Sequence, residues 1–180
     1  MFFNIIKNFN QKNDYKRITN LSANQLVYIC SIENYGINYL VKGIIYEHYS
    51  LTKCELCESI DKGKTIRIDE KEYVVVKNND KNYELKANKN ALFCEYVLEE
   101  KDDMFYVYHY DPIVELWRKS DRKIEFIVSR DADLTVGGHK EKIEACDFGL
   151  PKKEWIIWSG LYLPIFLNGK VIKILEWLNY

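Results

Sequence analysis

Along most of the chain, apolar residues alternate with polar ones at a period of two, and short clusters of charge, Asn or Gly interrupt that alternation. This is the signature of β-strands with one wet face, joined by tight turns. The clearest instance is Leu161 to Tyr180, where Ile165-Phe166-Leu167 and Val171-Ile172-Lys173-Ile174 flank Asn168-Gly169. Asn and Gly tolerate the positive φ that a two-residue hairpin turn needs at both central positions. The same pattern predicts a hairpin of Leu26 to Ile32 against Ile37 to Tyr49 around Asn34-Tyr35-Gly36, with Gly43 marking a bulge or a close backbone approach.

A meander is predicted next, through Thr65 to Ile68, Tyr73 to Lys77, Tyr83 to Ala87, Leu92 to Leu98 and Met104 to Tyr110. Asp111-Pro112 ends the last of these and, with Pro at the first helical position, predicts a short helix through Ile113 to Arg118. Arg122 to Arg130 is expected to be a strand, Gly137-Gly138 a turn, and Glu154 to Ser159 the lead into the terminal hairpin. At the other end, Phe2, Ile5, Ile6 and Phe9 recur at helical spacing. They predict a short amphipathic helix that docks on the sheet, followed by a polar connector.

The fold class expected is mainly β (β-rich α+β), with antiparallel hairpins and a meander forming a curled sheet, sandwich or partial barrel. Residues 1–20 are the helix and connector, and residues 21–180 a single β-rich domain. A subdivision, if present, falls near 111–121.

Composition narrows the choice of partner more than it changes the fold. A chain of 180 residues removes roughly 70% of its extended surface from water on folding, enough for a core without staples. Its 26 basic and 27 acidic side chains are dispersed and give a net charge of −1. Nucleic-acid binding is therefore not expected, because it needs a concentrated positive field. Asn4, Lys7 and Asn8 interrupt the apolar N-terminus before a signal-peptide core is reached, and no run is long enough for a membrane span. Five cysteines, an odd number, are then expected to be reduced thiols in a cytoplasmic protein.

Candidate chemistry is sparse, and no cofactor is implied. Cys54-Glu55-Leu56-Cys57 has the spacing of half a zinc site, but no second close pair of ligands accompanies it, so no metal is expected. A redox role would want the pair at a helix N-terminus after a strand. Glu55 and Glu58 oppose a thiolate there, and the two thiols are expected to be partly buried and inert. Asp102-Asp103 reads as a solvated hairpin turn, and Asp131 and Asp133 as the start of another turn. His139 and Cys146 lack a nucleophile signature around them. Ser159-Gly160 is half of a nucleophile elbow, with Ile157 standing where glycine is required.

The aromatic residues carry the remaining functional signal. In a strand, Tyr106, Tyr108 and Tyr110 fall on one face, and Phe105, Val107 and His109 on the other. Trp155 and Trp158 cannot share one face of a regular strand. Interleaved aromatic and charged residues suit contact with another protein. The expected function is thus a non-enzymatic protein-binding module, of the inhibitor or toxin-neutralising immunity kind, acting through a sheet face or edge. Its candidate binding residues are Phe105, Tyr106, Tyr108, Tyr110, Trp155 and Trp158. The alternative is a small enzyme or ligand-binding barrel with a Tyr/Trp/His-lined pocket that includes His109, His139 and Cys146.

Overall fold

Gly43 shows how closely the first sheet is packed. The computed structural model describes residues 14–78, 82–111, 113–136, 139–141 and 158–178. In it, strand β2 (Gln25–Tyr35) turns through Gly36 into β3 (Asn38–His48), after β1 (Lys16–Arg17). A Cβ at Gly43 would lie 2.5 Å from Val27 Cγ1 and 2.7 Å from the Tyr28 carbonyl oxygen, and the register of β2 slips opposite it between Ile29 and Ser31. Only glycine fits that bulge without displacing backbone.

The remaining strands of this sheet come from the second half of the chain. They are β11 (Trp117–Val136), β12 (His139–Glu141), β13 (Trp158–Leu167) and β14 (Lys170–Leu178). Asn168 and Gly169 form the β13–β14 turn with φ of 51° and 76°, the mirror-image turn geometry their sequence predicts. Strand β11 pairs antiparallel with β3 and parallel with β14. The path β11-β14-β13-β2-β3 therefore returns to β11, and the sheet curls into a barrel-like ring. Its inner face is apolar: Val27, Val41, Ile45, Phe126, Val128, Val171 and Ile174 are fully buried.

The second sheet is the meander. Strand β4 (Ser50–Thr52) leads into helix α1 (Lys53–Lys62), and β5 (Ile66–Ile68), β6 (Lys71–Lys77), β7 (Tyr83–Lys86), β8 (Tyr96–Lys101), β9 (Met104–His109) and β10 (Val114–Glu115) follow. They lie in the order β10-β9-β8-β7-β6-β5, with β4 also on β9. Thr52 caps α1 in a capping box with Glu55, and Gly63 ends it in the left-handed conformation. Leu56 of α1 joins Leu51, Ile66, Ile68, Tyr73, Leu85, Leu98, Phe105 and Val107 in a second core.

The chain passes between the sheets at Tyr49 and at Leu116. The Tyr49 amide donates to the Leu116 carbonyl (2.7 Å), the Val107 amide to the Tyr49 carbonyl (2.9 Å), and the Leu116 amide to the Val107 carbonyl (3.1 Å).

The expected fold class holds: the protein is mainly β, with curled antiparallel hairpins and a helix. Three local expectations need correction. Ile113 to Arg118 is not helical, because Val114 and Glu115 pair with His109 and Tyr108, and Trp117 and Arg118 with His48 and Glu47. Cross-strand bonding on both sides outweighs the helix-starting proline. Residues Leu92 and Phe93 are exposed in the loop before β8. Asp131 and Asp133 lie within β11, where Asp133 is 3.7 Å from Lys140, instead of starting a turn. The N-terminal helix at residues 2–9 and the Gly137-Gly138 turn lie outside the described residues.

Candidate protein-binding face

Strand β9 divides the aromatic run as alternation requires. Phe105 and Val107 are buried in the second core, while Tyr106 and Tyr108 are half-buried on the opposite face. Register then decides their neighbours. Glu99 lies across from Tyr106, and Val97 from Tyr108 on β8. Glu84 lies across from Val97 on β7, and Glu115 from Tyr108 on β10. Strand pairing thus gathers two tyrosines, a valine and three carboxylates onto the side of the sheet that faces away from its core.

A groove of about 750 Å³ runs across this region, bounded by Tyr83, Glu84, Val97, Glu99, Tyr108 and Tyr110, among others. Tyr110 is half-exposed. The Glu84 carboxylate accepts from Asn78 Nδ2 at 2.6 Å and pairs with Lys86 at 3.2 Å. Glu99 and Glu100 form no ion pair among the described residues. Burial, then the nearby Glu99 and Glu115 charges, push the Tyr108 phenol up to about 12. Tyr108, uncharged at neutral pH like any tyrosine, thus keeps its proton well into the alkaline range.

At the end nearest the first sheet, His48 is enclosed by rings. Its imidazole lies 4.7 Å from Tyr106, 5.2 Å from Tyr108 and 5.1 Å from Trp117, and Trp117 meets Trp177 edge-on at 5.8 Å. His48 Nε2 lies 3.3 Å from the Val107 carbonyl oxygen, a bond that places the proton on Nε2 in the neutral ring. Burial lowers the His48 pKa, with Glu115 and the Val107 bond opposing. Glu115 Oε2 and Trp117 Nε1 are buried without a hydrogen-bond partner among the described residues.

The candidate residues from the sequence are only partly brought together. Tyr106, Tyr108 and Tyr110 lie on or beside the groove, but Phe105 is core and cannot meet a partner without unfolding the sheet. Trp158 belongs to β13 of the first sheet, opposite Leu178, and Trp155 lies outside the described residues. His109 packs on Tyr96 at 4.8 Å, with its pKa lowered by burial against the charges of Asp69 and Glu95. His139 is in β12 of the first sheet, paired with Val136, and Cys146 lies outside the described residues.

Sequence reasoning did not find Glu84, Val97, Glu99, His48 or Trp117. The alternation Tyr96-Val97-Leu98-Glu99 signals which residues share a face, but the juxtaposition of His48 with Tyr106 depends on long-range pairing that has no local trace. No cluster of three or more metal-binding side chains occurs among the described residues, and no described helix is long and apolar enough to cross a membrane. Comparison with protein-family models, curated proteins and solved structures gave no match.

Proposed function

We propose that this is a non-enzymatic, cytoplasmic protein-binding module that takes a basic segment of another protein onto the open face of its second sheet, in the manner of an inhibitor or immunity-type protein. The observation that carries the proposal is the groove itself, whose described lining combines tyrosine rings with Glu84, Glu99 and Glu100 and contains no cationic side chain. Tyrosine gives large contact area with few rotors to freeze, and carboxylates beside it select for Lys or Arg. The apolar, buried inner face of the first sheet, which presents no described polar side chain in its core cluster apart from the Tyr39 and Tyr162 hydroxyls, supports this reading over a ligand-binding barrel.

The test is to place a photo-crosslinking residue at position 110 and, as a control, at the exposed Ile172 of β14. A partner trapped from host extract at position 110 alone is then purified and titrated. Tyr108→Ala and Tyr110→Ala are expected to weaken its binding by about 2 kcal/mol for a central anchor, and Glu99→Gln to reduce the salt dependence of association. Equal trapping at both positions, or unchanged affinity in folded Tyr variants, would refute the proposal.

A further inference from the structure

The strongest feature outside the groove is the cysteine pair that opens α1. Cys54 and Cys57 occupy the first two turns of the helix, directly after strand β4 and the Thr52 cap, and both are free and exposed. Residues three apart lie on one side of a helix. Helical rise and radius put their Cα atoms about 5 Å apart, inside the roughly 4.4–6.8 Å that a disulfide spans. Leu56, between them, is turned into the core and anchors the turn, leaving the two sulfurs on the solvent side.

The two acidic neighbours differ: Glu55 stays charged but is directed onto the Thr52 cap, while Glu58 is paired with cations. Glu55 Oε2 accepts from Thr52 N and from Thr52 Oγ1, each at 2.8 Å. Glu58 is held by Lys64 at 3.0 Å and by Lys62 at 3.6 Å. Thr52 Oγ1 takes the Glu55 amide, which leaves the Cys54 amide among the first-turn donors that have no partner within the helix. Negative charge is favoured at that end of a helix. Lys64 adds a cation close enough to interact electrostatically with Cys54. Of the circumstances that argued for inert thiols, burial is absent and the Glu58 charge is met by Lys62 and Lys64, which leaves Glu55 as the one of the two carboxylates that opposes a thiolate.

We infer that Cys54 and Cys57 form a redox-active dithiol that exchanges with small-molecule disulfides of the glutathione class, an activity that does not depend on the binding face. The Cys54 thiolate attacks one sulfur of the oxidised couple, forming a mixed disulfide and releasing one small thiolate. The Cys57 thiolate then attacks the Cys54 sulfur, closing the protein disulfide and releasing the second. Two protein thiols are oxidised, one small disulfide is reduced to two thiols, and the two protons end on the released thiols.

The experiment uses the full chain with Cys30, Cys94 and Cys146 changed to Ser, its fold checked by circular dichroism, and glutathione disulfide as oxidant. Intact-mass analysis is expected to show loss of two hydrogens with no retained adduct, reversed by reduced glutathione. Adding Cys57→Ser should arrest the reaction at a single stable glutathione adduct on Cys54. Two thiols that stay reduced, or two separate glutathione adducts, would overturn the inference. If the three-serine background does not fold, differential alkylation and peptide mapping of the wild-type chain give the same decision, since a disulfide pairing Cys54 or Cys57 with any other cysteine counts against it.

Discussion

His48 is the residue on which pH acts most directly. Its pKa is lowered in the folded protein, so between the ordinary histidine value and that lower value the unfolded chain binds more protons than the native one. Stability is then greatest above about pH 6.5, the unfolded value, and falls as pH drops through the window below it. His109 carries a shift of the same sign and adds to the slope. Urea midpoints taken between pH 7.5 and 5.5 should decline, and His48→Phe, which keeps the ring stacked on Trp117 and removes the titration, should flatten that decline. A steeper or unchanged slope in the variant would locate the pH response elsewhere. The lowered pKa also fits the stacking: a neutral imidazole loses less on burial among three aromatic rings than a charged one.

At the scale of elements, α1 depends on its cap more than on its packing. Only Leu56 and Ser59 of its ten residues are buried, so little apolar surface holds it down. The paired bonds Glu55 N to Thr52 Oγ1 at 3.2 Å and Thr52 N to Glu55 Oε2 at 2.8 Å fix its start. Thr52→Ala is expected to cost about 1 kcal/mol of stability by denaturant unfolding and to speed hydrogen exchange of the Lys53–Ser59 amides ahead of those in the sheets. The same capping box explains what could be read from the sequence. Thr52-x-x-Glu55, with Gly63 beyond the last turn, is a helix signature, yet the segment lacks an apolar stripe and so no helix is expected from periodicity. The Asn168-Gly169 hairpin was legible because its turn chemistry and flanking strands are local and agree. Ile113 to Arg118 misleads for the opposite reason: the proline at 112 carries a local helix signal, while the strand pairing that decides the segment comes from β9 and β3.

Across the whole molecule, what the sequence does not disclose is how the two sheets are joined. Strand β11 pairs with β3, β1, β12 and β14, partners spread from Lys16 to Leu175, and its parallel pairing with β14 follows from no neighbouring turn. The proposed binding face is equally non-local: Glu84, Val97, Tyr108 and Glu115 become adjacent only when four strands adopt one register. That dependence makes the face hostage to the cohesion of the sheets. The two crossings at Tyr49 and Leu116 bond to each other and to Val107, while His48 on β3 packs against Tyr106 at a tilt and Tyr108 edge-on, both on β9. Neither sheet can then unravel at this seam without breaking bonds that belong to the other, so the two cores are expected to unfold as one cooperative unit. Leu85→Ala, in the centre of the second core and fully buried, should cost about 2–5 kcal/mol. Its loss of stability should appear to the same extent in hydrogen exchange at Val41 and Phe126 of the first core as at Val75 and Leu98 of the second. If protection fell only in the second sheet, the seam would be a passive linker, and a partner seated beside Tyr108 could not report its binding to the barrel-like first sheet.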